Sequence, residues 1–380
     1  MKTIKILVLA IAIALVAVIL TSYFIWLSYP KIKLNIYILD KTVKDFSYSK
    51  HRSLIWALNN ARVTKSNGDN YNVSDDYYGF VPVRPLSDRQ YDIKRIMLEQ
   101  IDSFSNAYDA LYYADTYGVY FNEWFRGFRT GGENSVIDGG LNQNDYFLLK
   151  AMKEKRRLVI LQYNTLGQPT SDLIKFKTEE LMGIHSTGWT GKQYSSLDSS
   201  NEEIPKAVIN LYKLQNNNNW PFKGKGIILS DGANVIVLQK DIHLLSEKPF
   251  ISTKSAYSNK YSVPDVIVYP NTFEFVSAAD SNEIVANFVL NLTAKGDSLM
   301  HAYNLNGSYP AIISCHNNGL NLYYFAGDFT NIPVTTFYSR LANSRKFLAR
   351  FTSDDRRLFF QKFYFPFMES VLKDYTDKRK

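Results

Sequence analysis

Four aspartates have the type and spacing to do chemistry. Asp40 and Asp115 each close a short apolar run, and Asp75 and Asp76 lie in a stretch too polar to be core. A carboxylate at the end of a strand in an open α/β sheet stands at the rim of the crevice where such folds hold ligands. If the strands of Asp40 and Asp115 end at one edge, two carboxylates meet there. They could share acid and base work on a glycosidic bond, with His51 or His185 assisting. The same aspartates also have a structural reading, in which each caps the turn or helix after its strand.

Binding asks less of these residues than catalysis does. Tyr117 and Trp189, with Trp56, Tyr77 and Trp220, offer aromatic faces that stack on the C–H surface of a sugar ring. Asp75, Asp76, Asn164 and Thr165 offer acceptors and donors for its hydroxyls. Trp189 sits among glycines, in Gly188-Trp189-Thr190-Gly191, and reads either as an exposed loop residue or as a turn whose Trp plugs the core.

Other chemistries find little support. His51, His185, His243, His301 and His316 are scattered without ligand spacing, so no metal is expected. The G-x-S-x-G elbow of Ser-His-Asp hydrolases is missing. The glycine-rich stretch Gly127–Gly140 has neither the phosphate-loop Lys-Ser/Thr nor a G-x-G-x-x-G opening a helix, and no cofactor is expected. A net charge of +8 spread over 380 residues argues against nucleic acid as a partner. Cys315 is the single cysteine, which excludes an intramolecular disulfide.

The elements that must position these residues alternate in type. Strands are expected over 33–40, 110–115 and 158–162, and helices over 51–61, 144–155 and 171–181. This alternation is the mark of a parallel sheet. A helix is also expected near 91–104. Later the chain reads as a loop over 183–191, a hairpin of 226–230 with 234–239 around Asp231-Gly232, and a strand at 272–277. A helix at 281–290 and the pair 311–315 with 320–325 follow. The end, 337–375, reads as helical, amphipathic and aromatic, and its FFQKFYFPF run (359–367) could lie on a membrane surface. The expected fold is therefore α/β, an open, mostly parallel sheet flanked by helices, with β-hairpin insertions.

One transmembrane helix is expected ahead of that domain. Ile6 to Leu27 carries no charge and matches the hydrocarbon thickness of a bilayer. Tyr23, Phe24, Trp26 and Tyr29 follow as an interfacial aromatic belt, where a cleaved signal peptide would show a short apolar region and small residues. Residues 1–30 thus read as an uncleaved anchor in the lipid bilayer, and 31–380 as a single domain. Lys2, Lys5 and the amino terminus outweigh Lys31 and Lys33, which places that domain outside the cytoplasm.

Three segments resemble the class I glutamine amidotransferase-like superfamily, including its trehalose-utilisation-type relatives. They are the strand ending in Asp40, the strand leading to Asp115-Thr116-Tyr117-Gly118, and the late hairpin from Pro310 to Gly327-Asp328. The resemblance spans roughly 33–330 and implies a flavodoxin-like sheet with helices on both faces. The chain is also similar to membrane-tethered proteins encoded near bacterial exopolysaccharide machinery. That likeness implies a place in the bacterial cytoplasmic membrane and an envelope glycan or a membrane protein as partner. Active members of the superfamily carry a Cys on the turn between strand and helix, whereas this chain has Tyr163-Asn164-Thr165 there. Cys315 instead lies inside an apolar strand. No glutaminase activity is expected, and the reading is a non-catalytic binding domain, with a glycan-directed hydrolase using Asp115 and a second carboxylate as the alternative.

Overall fold

The computed structural model describes residues 2–125 and 135–379. Most of the Gly127–Gly140 stretch lies outside them. The first half of the chain gives the strands Ile36–Asp40 (β1), Tyr78–Pro82 (β2), Tyr91–Lys94 (β3), Ala110–Asp115 (β4) and Leu158–Gln162 (β5). Then come Ile184–Tyr194 (β6), Gly226–Ser230 (β7), Val235–Gln239 (β8), Phe250–Thr253 (β9) and Val266–Val268 (β10). Phe273–Ala278 (β11), Glu283–Val289 (β12), Ser308–Cys315 (β13) and Asn321–Phe325 (β14) complete the strands of the two larger sheets. One large sheet has the order β10-β9-β12-β13-β14-β5-β4-β1-β2-β3, and a smaller one the order β8-β7-β6-β11.

The large sheet is mixed, which corrects the expectation of a mostly parallel one. Pairing is parallel from β14 through β5, β4 and β1 to β2, and antiparallel on both flanks. The cause lies in the connections. Parallel neighbours need a crossover of a dozen or more residues, which the chain supplies up to β5. The flanks are antiparallel because hairpins join β2 to β3, β9 to β10 and β13 to β14, and because β12 runs against both β9 and β13. The β7–β8 hairpin around Asp231-Gly232 forms in this way, with Ser230 opposite Val235.

The helices that bear on the site are Lys2–Ser28 (α1), Arg52–Asn60 (α2), Gln143–Glu154 (α3), Asp172–Met182 (α4) and Phe365–Asp377 (α5). Consecutive strand residues point to opposite faces. On β4, Tyr113 Oη donates to the Asp145 carbonyl of α3 at 2.7 Å, while Tyr112 Oη meets Tyr364 Oη, just ahead of α5, at 3.0 Å. Helices therefore cover both faces of the central strands. That is why β4 and β5 are buried along their whole length and read as unbroken apolar runs.

Three local expectations change. The segment 281–290 is strand β12, not a helix, because its Ile284-Val285-Ala286-Asn287-Phe288-Val289 run fills a slot between β9 and β13. The segment 183–191 is the start of β6, paired with β11 across an irregularity between Ser186 and Thr190. Tyr91–Lys94 is a strand, and helix follows only at Ile101–Ala107. In each case partners across a sheet overrode a local helix or loop signal.

α1 is long and apolar enough to cross a membrane, and its apolar window is wholly unburied. Its last turns behave differently from a free tether. Trp26 is buried, its indole N–H donates to the Asn59 carbonyl at 3.1 Å, and the Arg62 guanidinium lies 4.5 Å over its ring. Trp26 therefore belongs to the domain and not to the lipid-facing aromatic belt.

Candidate functional site

β1 and β4 are parallel neighbours, and Asp40 stands opposite Asp115 where their register shifts. Both strands therefore release their last side chains at the same edge of the sheet. Each aspartate first makes a turn: Asp40 Oδ1 accepts from the Thr42 amide at 2.9 Å, and Asp115 Oδ1 from the Tyr117 amide at 2.8 Å. This is the Asx-type bond that ends a strand with one carboxylate oxygen and leaves the other for a second partner. The structural and functional readings of these residues are thus halves of one arrangement. Gly118 lets the chain close up behind Asp115, since its φ is +93° and a Cβ there would lie 2.3 Å from the Asp138 carbonyl oxygen.

The second oxygens of both aspartates are paired. Asp40 Oδ2 bonds His51 Nδ1 at 2.6 Å, and His51 Nε2 meets the Val73 carbonyl at 2.8 Å. The Val73 carbonyl can only accept, so Nε2 is the donor there. His51 is fully buried and stacks on Tyr77 with ring centres 4.6 Å apart. Lys50, one residue earlier, places its ammonium 3.0 Å from Asp115 Oδ2 and 2.5 Å from Asp328 Oδ2. Burial pulls this ammonium down, but the two carboxylates and their hydrogen bonds outweigh it and hold Lys50 above the ordinary lysine value. Lys50 is therefore a permanent cation, unsuited to act as a base or an amine nucleophile. Thr42 Oγ1 donates to Asp115 Oδ1 at 2.9 Å, and Asn164 Nδ2 lies 3.4 Å from Asp115 Oδ2.

Asn164 occupies the turn after β5 with φ of +71°, a left-handed conformation that Asn tolerates well. Its carbonyl accepts from Thr116 Oγ1 at 2.9 Å, while Thr165 is buried and donates to the Gln162 carbonyl. A crevice of about 230 Å³ opens at this edge, lined among others by Asp40, Thr42, Ser47, Ser49, Lys50 and Asn331.

The other candidates go elsewhere. Tyr117 stays at the edge, 42% exposed, its ring 5.1 Å from that of Tyr120. Asp76 pairs with Lys65 at 3.0 Å, and with Asp75, Tyr78 and Tyr108 it lines a separate hollow of about 420 Å³. His185 is exposed on β6, 3.4 Å from Glu179 Oε2, and does not join Asp40 and Asp115. Trp189 is buried against Tyr303, with ring centres 5.7 Å apart, so the core-plug reading holds. Trp56 and Tyr77 are buried, and Trp220 packs on Tyr212 and Phe222. Of the five aromatic faces, Tyr117 alone is open. The sequence reading missed Lys50, Thr42 and Asp328 as site residues. Asp328 carried the same signal as Asp40 and Asp115, an acidic residue just past an apolar strand. Lys50 carried none.

Away from the crevice, Glu274 on β11 is buried and accepts a hydrogen bond from Tyr324 Oη. Burial raises its carboxyl from 4.5 to about 7, against the opposing pull of Tyr324 and Lys175. The folded state thus holds a proton that the unfolded state releases. Stability is full below the unfolded value and falls as pH rises toward the folded one, by roughly 3 kcal/mol. Glu274→Gln should flatten the fall in unfolding temperature between about pH 5 and about pH 8. Parallel slopes for wild type and variant would show that Glu274 ionises normally.

No protein-family model matches the chain, and no curated protein matches it. Among solved structures it is similar to a ThuA-like protein from Bacteroides uniformis, with 10% identity, a TM-score of 0.36, and coverage of 87% of this chain and 97% of that one. It is similar as well to the carbohydrate deacetylase Agd3, with 10% identity, a TM-score of 0.34, and coverage of 83% of this chain and 32% of that one. A third is the glutaminase domain of Trypanosoma brucei CTPS with bound acivicin, with 9% identity, a TM-score of 0.29, and coverage of 83% and 93%. At these scores the likenesses decide nothing about chemistry, which rests on the residues above.

Proposed function

We propose that the chain is a membrane-tethered α/β domain, its bulk outside the cytoplasm, that binds a small neutral glycan unit at the strand-end crevice without turning it over. One observation carries this reading: every carboxylate oxygen of Asp40 and Asp115 already has a partner. Thr42, Tyr117, His51, Lys50 and Asn164 take them up. A glycosidase nucleophile or base must turn a carboxylate oxygen toward the substrate, whereas these oxygens are turned to protein partners. The crevice wall sets two lysines, Lys44 and Lys50, against two aspartates, Asp40 and Asp45, and adds the hydroxyls of Thr42, Ser47, Tyr48 and Ser49 and the amide of Asn331. These suit sugar hydroxyls better than an ionic ligand. The crevice volume of about 230 Å³ favours something near one sugar ring. Tyr117 does not line the crevice, but its open ring stands on the turn after Asp115 at the same sheet edge, where a sugar reaching beyond the crevice would stack on it.

Asn164 stands at the turn where the resembled amidotransferases hold their thiol, and an amide forms no thioester. Glutaminase activity is expected to be absent. Asn164→Gly keeps the left-handed backbone and removes only the carboxamide. It should weaken glycan binding by about threefold to tenfold while shifting the unfolding temperature by no more than about 2 °C. Unchanged affinity, measured by titration calorimetry, would remove Asn164 from the site. A large drop in unfolding temperature would give it a purely structural role.

A further inference from the structure

The end of α1 does not stand clear of the domain. The Ala342 amide donates to the Ser22 carbonyl at 3.1 Å, and Ser22 Oγ donates to the Ala342 carbonyl at 2.9 Å. The segment around Ala342 is thereby held level with Ser22. Some 20 apolar helical residues rise about 30 Å, the hydrocarbon thickness of a bilayer. If the helix enters the membrane near Lys5, its far interface falls near Ile25, about one turn past Ser22, so Ser22 lies at the edge of the hydrocarbon. The segment tied to it should then meet lipid.

That segment is built for such a place. It comprises the turn Thr336–Arg340, the short helix Ser344–Arg350 and Phe351. Phe337, Phe347 and Phe351 are 59%, 63% and 74% exposed, more open than aromatic side chains of a water-facing surface usually are. Arg345 points inward: its Nη1 donates to the Gln361 carbonyl at 2.9 Å and its guanidinium lies 5.1 Å over the Phe365 ring. At 100° per residue, anchoring Arg345 inward turns Phe347 outward and leaves Lys346 and Arg350 on the flank. The Phe347 and Phe351 rings lie tilted against each other, centres 4.8 Å apart, and make one apolar knob. Exposed aromatics with basic residues beside them are the composition of a headgroup-level contact. The FFQKFYFPF run, which the sequence offered as the membrane-facing segment, cannot serve: Phe359, Phe360, Phe363, Tyr364, Phe365 and Phe367 are all buried. Two hollows also flank this region, one of about 650 Å³ bordered by Tyr23, Phe337 and Arg340, the other of about 560 Å³ bordered by Tyr29, Lys31 and Lys346.

We infer that residues 336–351 form a second membrane contact, in which Phe337, Phe347 and Phe351 enter the bilayer interface and Arg340, Lys346 and Arg350 meet the phosphates of anionic lipid. The inference rests on the reading of α1 as an anchor. Its consequence is that the domain is held in one orientation on the bilayer and does not swing on a flexible stalk.

The test uses the full chain reconstituted in phosphatidylcholine–phosphatidylglycerol vesicles. The buried Cys315 is replaced in Cys315→Ser, and single environment-sensitive fluorophores are placed by Phe347→Cys, Phe351→Cys, Val16→Cys or Leu214→Cys. Doxyl-labelled lipid should quench the labels at 16, 347 and 351 and spare the one at Leu214, which is 84% exposed on a helix far along the chain. Arg340→Glu, Lys346→Glu and Arg350→Glu together should lower quenching at 351 by about twofold or more. Quenching at 16 with none at 347 and 351 would overturn the second contact and leave the anchor standing. Quenching at 347 and 351 with none at 16 would sustain the contact and remove the anchor. Absence at all three positions would overturn both.

Discussion

Lys50→Met should lower the unfolding free energy of the full chain by about 3–5 kcal/mol, because it leaves the Asp115 and Asp328 carboxylates buried without a counter-charge. In a domain of this size that corresponds to a drop on the order of 5–10 °C in unfolding temperature. The loss belongs to the abandoned charges and not to the ion pair as such. Adding Asp328→Asn to Lys50→Met should therefore recover part of it. A loss under about 1 kcal/mol for Lys50→Met alone would mean that water reaches both carboxylates and that Lys50 is no hub.

Trp26→Ala should cost a comparable amount, about 3–5 kcal/mol, the usual penalty for emptying a buried Trp slot. Trp26 is 1% exposed and its slot is closed by Asn59 and Arg62. A tether independent of the fold would tolerate this change without effect. Arg62 Nη2 also donates to the Leu27 carbonyl at 3.1 Å, a second tie between helix end and domain. A soluble form cut after residue 30 should therefore unfold at a lower temperature than one cut before Ser22, and thermal unfolding of the two truncations checks this directly. Equal values would return the whole of α1 to the status of a detachable anchor.

The sequence and the structure agree where the signal was local and periodic. α2, α3, β1, β4 and β5 appear close to their expected limits, because covered strands flanked by helices leave long apolar runs between polar turns. Asp40 and Asp115 could be placed at strand ends from the same pattern. What escaped depended on partners distant in the chain. β12 carried a helix-like start at Ser281-Asn282-Glu283 and became a strand because β9 and β13 bracket it. Trp189 and Trp56 read as open aromatic faces, yet burial is settled by packing that no spacing rule encodes. Lys50 lies 278 residues from Asp328 in sequence and 2.5 Å from it in space. The FFQKFYFPF run and the Phe347–Phe351 pair are similar in composition, and only the fold shows which is core and which is surface.

The central claim is that this crevice holds a glycan and leaves it whole. The most direct measurement incubates the purified full chain with oligosaccharides released from bacterial envelopes and follows both the bound and the free pools by mass spectrometry. A retained oligosaccharide, weaker retention by Asn164→Gly, and no new product from wild type over many hours are expected. Shortened products that accumulate with wild type and disappear with Asp115→Asn would contradict the claim and make the protein a hydrolase working through Asp115.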